Sequence, residues 1–380
     1  MDGELRCMKY CLFILFIFIF QEQQSQGQFI HQTDSIVKRY MDSAAVTGIC
    51  IGIIRDNKIL YTRAYGYRIK EKNLLNDTST CFYAASLSKA VFAYLVMRLV
   101  ENGTIFLDTP IASYLPKPLP DYPNYKDLAG DDRWKLITPA MCLSHTTGFP
   151  NWRQFNPNNN KKLEIFFTPG SRFAYSGEGI DLLQMVVETI TGRSLEDLAK
   201  EMVFIPLGMS RTGYIWHPEF ESDYALGYDE KGDSIRKRRR INPGAAGSME
   251  TTIGDYTRFM AAVMQNDHHM FTPIISIHSL HQFPSLNNDT TSANERIHLS
   301  YGLGWGLFST PMGSAFFKEG HDDGWVHYSI GIPSAGRALV IMCNSSNGEK
   351  IFSRLCEKLL GITIPWQWEG YASDLSKPPL

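Results

Sequence analysis

The chain lacks the short motifs that announce most enzyme classes. In 380 residues there is no C-x-x-C and no H-E-x-x-H, so no zinc ribbon or zincin helix is signalled. No G-x-S-x-G occurs, which argues against an α/β-hydrolase. There is no excess of basic residues. Lys and Arg number 37 against 39 Asp and Glu, for a net charge of -2, and a nucleic-acid binder would carry a basic surplus. No internal repeat is visible.

The chain also lacks a comfortable membrane span. The N-terminal apolar run, Tyr10 to Phe20, falls short of the ~20 residues that a crossing helix needs. Arg6 and Lys9 precede it, and Gln21-Glu22-Gln23-Gln24 follows. That pattern suits a secretory signal over residues 1–26, so the expected location is outside the cytoplasm, periplasmic or secreted. No small-x-small site precedes Gln21, so an uncleaved anchor is the alternative, and membrane attachment is expected only through this segment. Four N-x-S/T sequons, at Asn76, Asn102, Asn288 and Asn344, acquire meaning if the host glycosylates exported proteins.

Seven cysteines do not make a disulfide framework. Cys7 and Cys11 lie in the signal, and the other five are odd in number and widely spaced. Cys50, Cys142, Cys343 and Cys356 sit in apolar contexts and read as buried small hydrophobes. Asp267-His268-His269 reads as a polar loop beside Met270 rather than a metal site. No metal or cofactor is expected.

What is present has a clear order. Asp34 to Ala44 reads as an amphipathic helix, followed by strands over Thr47 to Ile54 and Lys58 to Tyr67 with a turn at Arg55-Asp56-Asn57. Ala90 to Glu101 is apolar nearly all round, the pattern of a helix buried on every side, and Asn102-Gly103 closes it. Helices are expected over Trp134 to Leu143, Ile180 to Thr191 and Thr252 to Met264. Gln265 to Ser300 reads as a long polar loop with little regular structure. Strands are expected at Ala315 to Lys318, Trp325 to Ile332 and Arg337 to Cys343, then a final helix over Ile351 to Leu360. The expectation is an α+β fold. A central antiparallel sheet built from both chain ends (about 34–85 and 300–362) is flanked by helices, and a large, mostly helical lobe (about 86–299) is inserted. Residues 27–380 are read as one domain.

The chemistry centres on Ser86-Leu87-Ser88-Lys89. Ser and Lys three apart share one helix face, and a Ser at a helix start has an unpaired backbone N–H. The S-x-x-K spacing alone is weak, since it recurs at Ser35 to Lys38 and Ser234 to Lys237. Only Ser86 opens a fully apolar helix, where burial would lower the Lys89 pKa and let a neutral amine take the hydroxyl proton. The residues alone leave a second reading open, in which Ser86 is a helix cap and Lys89 reaches solvent.

Companion motifs bring in a resemblance. Ser86-x-x-Lys89 follows Ala84-Ala85 and precedes Asn102-Gly103-Thr104. Leu143-Ser144-His145-Thr146-Thr147-Gly148 comes next, then Phe173-Ala174-Tyr175-Ser176-Gly177 after Pro169-Gly170, and finally Gly320-His321-Asp322-Asp323-Gly324. Ala245-Ala246-Gly247-Ser248 and Leu303-Gly304-Trp305-Gly306 accompany them. In this order the chain, over about residues 34 to 360, resembles the penicillin-recognising serine hydrolases. Within them it is closest in pattern to the class C β-lactamase-like branch of D-peptidases, esterases and β-lactamases.

The resemblance implies a β-lactamase/transpeptidase-like fold and a set of roles. Ser86 would attack a carbonyl, Lys89 and Tyr175 would shuttle the proton, and His321 would take the place of the third-motif cation. The backbone N–H groups of Ser86 and, by position, Gly324 would form the oxyanion hole. His145 would hold its loop. Two departures stand out. Gly177 replaces the Asn of the family's "Y-x-N", and Asp322-Asp323 replaces the "T-G" of "K-T-G". An acidic pair there would repel a substrate carboxylate, so β-lactamase activity is expected to be weak. Neutral esters or amides, or substrates carrying an amine, are expected to be favoured. The partner expected is a small-molecule or short-peptide ester or amide. The alternatives are a D-amino-acid-specific peptidase or β-lactamase of the same mechanism, or a non-catalytic binding relative. The basic run Arg236 to Arg240 reads as a solvated loop or as a patch that steers an acidic ligand.

Overall fold

The computed structural model describes residues 27–266, 268–279, 291–292, 294–365 and 368. The expected signal segment, Asp267 and Asn288 lie outside them.

Near-continuous apolar runs in the central strands build a sheet that is buried on both faces. The strands are β1 (Gly48–Arg55), β2 (Lys58–Ile69), β3 (Leu74–Leu75), β4 (Ile275–Ser276), β5 (Ser300–Tyr301), β6 (Gly306–Thr310), β7 (Gly313–Asp322), β8 (Trp325–Ile332) and β9 (Arg337–Cys343). Their spatial order is β3-β2-β1-β9-β8-β7-β6-β5-β4, antiparallel throughout. The two ends of the chain meet where β1 pairs with β9, Ile49 opposite Cys343 and Ile53 opposite Leu339. Period-2 alternation then divides the side chains. Cys50 and Ile54 of β1 join Ala338, Val340 and Met342 of β9 on one face. Ile49, Ile51 and Ile53 join Leu339, Ile341 and Cys343 on the other.

Each face is covered by helices. Helix α1 (27–44) and helix α5 (Glu349–Leu360) bury Val37, Tyr40, Met41, Phe352 and Leu355 on the second face. On the first lie α2 (Leu87–Glu101), α3 (Gly177–Thr191) and α4 (Ile253–Asn266), contributing Phe92, Val186 and Phe259 among others. Full burial of each such side chain stabilises the fold by about 1.5–3 kcal/mol. This is the expected mixed architecture, with the sheet drawn from both ends and a helical lobe between.

Three expectations change. Thr138-Pro139 breaks the helix read over Trp134 to Leu143 into a 3-10 turn (Asp132–Leu136) and a short helix (Pro139–Leu143), since Pro at the first helical position starts a helix afresh. The stretch read as a loop over Gln265 to Ser300 supplies edge strand β4 and the start of β5. β7 runs four residues beyond Lys318, carried by pairing with β8 through Glu319, Gly320, His321 and Asp322 despite their poor strand propensity. The five described cysteines are buried free thiols.

Candidate active site

The nucleophile candidate sits at a forced turn. Ala85 holds a left-handed backbone (φ 47°), a conformation that costs an L-residue energy, and Ser86 follows as the cap of α2. The Ser86 N–H has no acceptor among the described residues. One turn on, Lys89 is buried, and its Nζ donates to Ser86 Oγ at 2.9 Å and to the Ala246 carbonyl at 2.5 Å. Burial pushes the Lys89 pKa below its usual 10.5; Tyr175 opposes that shift and the cation of Lys318 adds to it.

Tyr175 lies between two amines. Its ring centroid is 5.1 Å from Lys89 Nζ and 4.8 Å from Lys318 Nζ, and Lys318 donates to the Tyr175 hydroxyl at 3.0 Å. Lys318 also pairs with Glu319 at 2.6 Å in the protein interior. Burial alone would lower the Lys318 pKa, but Glu319 first, then Tyr175 and Tyr301, raise it well above 10.5. Lys318 is therefore a fixed cation. His145 backs Tyr175, ring to ring at 4.3 Å, and accepts the Ser176 N–H at 3.2 Å through Nδ1. Burial, with Lys318 and Lys89 adding, drives its pKa well below 6.5 and keeps it neutral. The expectation that His145 holds its loop extends in this geometry to contact with Tyr175.

The residue expected as the third-motif cation does not reach Tyr175. Lys318, not His321, stands beside Tyr175. His321 lies at the rim with its side chain 60% exposed and Nδ1 2.5 Å from Glu349, whose hydrogen bond raises the His321 pKa. Lys318-Glu319-Gly320 is thus a K-x-G stretch beside Tyr175, with Glu between the Lys and the Gly. Gly320 keeps the glycine for a steric reason, since a Cβ there would come within 2.8 Å of the Ala84 carbonyl oxygen. Asp322 ends β7 and Asp323-Gly324 forms the turn into β8. The Gly324 N–H, expected in the oxyanion hole, donates instead to Ser346 Oγ at 2.9 Å. β6 begins at Gly306 opposite Phe317, so among the described residues no strand is registered against 318–322 on the side away from β8.

These groups open on one cavity of about 960 Å3. Ser86, Lys89, Tyr175, Glu319, His321, Asp322 and Asp323 all contribute to its wall. Gly177 faces Trp152: a Cβ would lie 2.6 Å from Cζ2 of the indole, which fills the space a "Y-x-N" amide would take. Ser176 caps α3 by accepting the Gly179 N–H at 3.0 Å, which is why that helix starts at Gly177 rather than at Ile180. Trp152, Asn151 and Asp181 also line the cavity, and the sequence offered no spacing that joined them to it.

The basic run is largely solvated, with Arg236, Arg238 and Arg239 exposed, but Lys237 is buried. Lys237 forms a buried pair with Glu250 at 2.6 Å, Arg239 pairs with Glu221, and Arg238 stands 3.9 Å from Asp322. Arg240 lies over the Tyr83 ring at 4.0 Å. Of the sequons, Asn344 is buried and donates to the carbonyls of Tyr67 and Leu226, and Asn76 is buried and donates to that of Tyr65. Asn102 is exposed.

Comparison with known proteins gives the family and the fold. The family model described as Beta-lactamase matches residues 33–355. Esterase EstB of Burkholderia gladioli is 28% identical over 206 residues, 48% of this chain and 50% of the esterase. Penicillin-binding protein 4* of Bacillus subtilis (strain 168) is 27% identical over 304 residues, 71% of this chain and 61% of that protein. The chain thus spans only about half to three-fifths of the length of these two relatives. A solved class C beta-lactamase superposes with a TM-score of 0.71 at 18% identity, covering 89% of this chain and 97% of that one, a likeness of fold. With the family model matching most of its length, the chain belongs to the Beta-lactamase family.

Proposed function

We propose that the protein is a serine hydrolase that cleaves an ester or amide through an acyl-enzyme on Ser86. The observation that carries this reading is the buried Lys89 amine, 2.9 Å from Ser86 Oγ and kept below its ordinary pKa. A neutral amine accepts the hydroxyl proton as Oγ attacks the carbonyl carbon. The tetrahedral oxygen takes hydrogen bonds from the Ser86 N–H and from the N–H three residues beyond the motif cation, which with Lys318 in that role is His321. Tyr175 passes a proton to the leaving group as the intermediate collapses. Lys318 fixes the phenol and adds positive charge nearby. Water then attacks the acyl-enzyme, and the same groups return the serine.

β-Lactamase activity is expected to be weak. The reason is the acidic lining of the cavity, where Asp322 and Asp323 are joined by Glu319, itself paired with Lys318. The substrate is a small molecule or short peptide, handled outside the cytoplasm if the N-terminal segment acts as a signal. Among the described residues no helix is long and apolar enough to cross a membrane.

A fluorophosphonate probe, read by intact mass and peptide mapping, tests the reading. One adduct on Ser86, lost in Ser86→Ala, is expected. A folded protein that takes up no label, and turns over none of a panel of acyl esters, aminoacyl amides and cephalosporins, would support a binding role instead.

A further inference from the structure

One carboxylate on the cavity wall has no part in the chemistry above. Asp181 projects from α3 six residues beyond Tyr175 and lines the same cavity as Ser86 and Lys89. It is half-buried, yet among the described residues no basic side chain forms an ion pair with it and no side chain hydrogen-bonds to it. The Ala246 N–H is the one donor that reaches it. A recessed carboxylate in that state is costly unless something polar meets it from the cavity.

The cations around it are already committed. Arg153 grips Glu178 in a fork, at 2.9 Å through Nε and 2.7 Å through the terminal nitrogen. Lys318 is matched by Glu319. Lys89 is bonded to Ser86 and Ala246 and is held toward the neutral form by burial. Two further cations line the cavity: Arg238 stands 3.9 Å from Asp322 and Arg240 lies over the Tyr83 ring, so no basic group pairs with Asp181 among the described residues.

We propose that Asp181 recognises an ammonium group on the substrate, making this a hydrolase for esters or amides that carry a free or quaternary amine near the scissile carbonyl. The inference rests on the reading of Ser86 as nucleophile. It names the substrate class of that same cavity. The carboxylate would supply the charge partner, and the cavity's Trp152 and Phe155 rings the apolar surround in which such a pair gains strength.

Two matched substrate pairs test it. Alanine methyl ester against N-acetylalanine methyl ester places the cation on the acyl side. Acetylcholine against 3,3-dimethylbutyl acetate places it on the leaving group. The wild type is expected to favour the cationic member of at least one pair by about tenfold or more in kcat/KM, through KM. Asp181→Asn is expected to cut that ratio at least about fivefold and Asp181→Glu to retain most of it.

The preference should also fade below pH ~6. Burial raises the Asp181 carboxyl to about 6 against the opposing pull of Lys89, with Glu178 adding and Arg153 opposing. Below that pH the carboxyl is neutral and offers the ammonium no charge. Calorimetric titration of Ser86→Ala with the same four compounds reads binding even where no turnover occurs, so a failed nucleophile and a failed amine site give different results. An unchanged cation ratio in Asp181→Asn, equal loss on charged and neutral substrates, or no ammonium preference in the Ser86→Ala titration would each overturn the proposal.

Discussion

Lys318 Nζ stands 3.0 Å from the Tyr175 hydroxyl and is paired with its own neighbour Glu319, so a phenol and a permanent cation are joined in the protein interior. His321, three residues along the same strand, faces Glu349 at the rim. Lys318→Ala should therefore lower kcat/KM for an ester by about 10- to 100-fold, the loss of a charge-assisted hydrogen bond. His321→Ala should cost at least tenfold less by the same scale. Steady-state kinetics on the two variants checks the assignment. A larger loss in His321→Ala would return the third-motif role to the histidine.

Glu319 offers a second test. Glu319→Thr introduces a hydroxyl and removes a carboxylate. The ratio of cephalosporin to ester turnover should rise about tenfold or more, as a like charge becomes a hydrogen-bond donor. Stability should fall by about 3–5 kcal/mol, because Lys318 loses its buried partner. A chromogenic cephalosporin assay beside urea denaturation reads both effects.

Lys89 sets the pH dependence. Its pKa is lowered by burial, so the neutral, proton-accepting form is the one favoured as pH rises through that depressed value. kcat/KM should climb with pH to a plateau whose midpoint lies below 10.5 and fall away on the acid side. Lys89→Arg keeps a charge that cannot be lost near neutrality and should reduce the rate by about 100- to 10,000-fold. A full pH–rate profile that is flat across the acid limb would exclude Lys89 as the base.

Trp152 and Gly177 should behave as one unit. Gly177→Asn drives a side chain into the indole and should cost about 1–3 kcal/mol of stability. Trp152→Ala in the same chain should recover most of that loss, giving strong coupling in a double-mutant cycle. Denaturation midpoints of the four proteins measure it. Additive effects would mean that the ring moves aside freely.

Local spacing made part of this legible in the sequence. Ser86 and Lys89 are one helical turn apart, and the apolar run behind them pointed to burial. The β-branched and aromatic content of β1, β8 and β9 was strong enough to set strand bounds within a residue or two. The third motif was harder. Lys318-Glu319-Gly320 and His321-Asp322-Asp323-Gly324 lie side by side, and either supplies a cation ahead of a glycine. The K-x-G order was the available signal. An acidic residue beside Lys318 masked it, because only the fold shows that Glu319 is the lysine's partner. Trp152 and Asp181 were out of reach for a different reason. Their place in the cavity depends on how the loop before α3 folds back over the helix start, and no periodicity encodes that.

The pairing of β1 with β9 has a consequence in time as well as in space. Ser86 and Lys89 are synthesised early, whereas Lys318 and the strand edge opposite them come late. On a growing chain the serine is without its cation, and the edge that faces it does not yet exist. Hydrolytic competence should arrive as a late event, coupled to closure of the sheet, so that an incomplete chain carries a harmless alcohol. Any truncation that removes β7 should leave a serine that no acylating probe distinguishes from the rest.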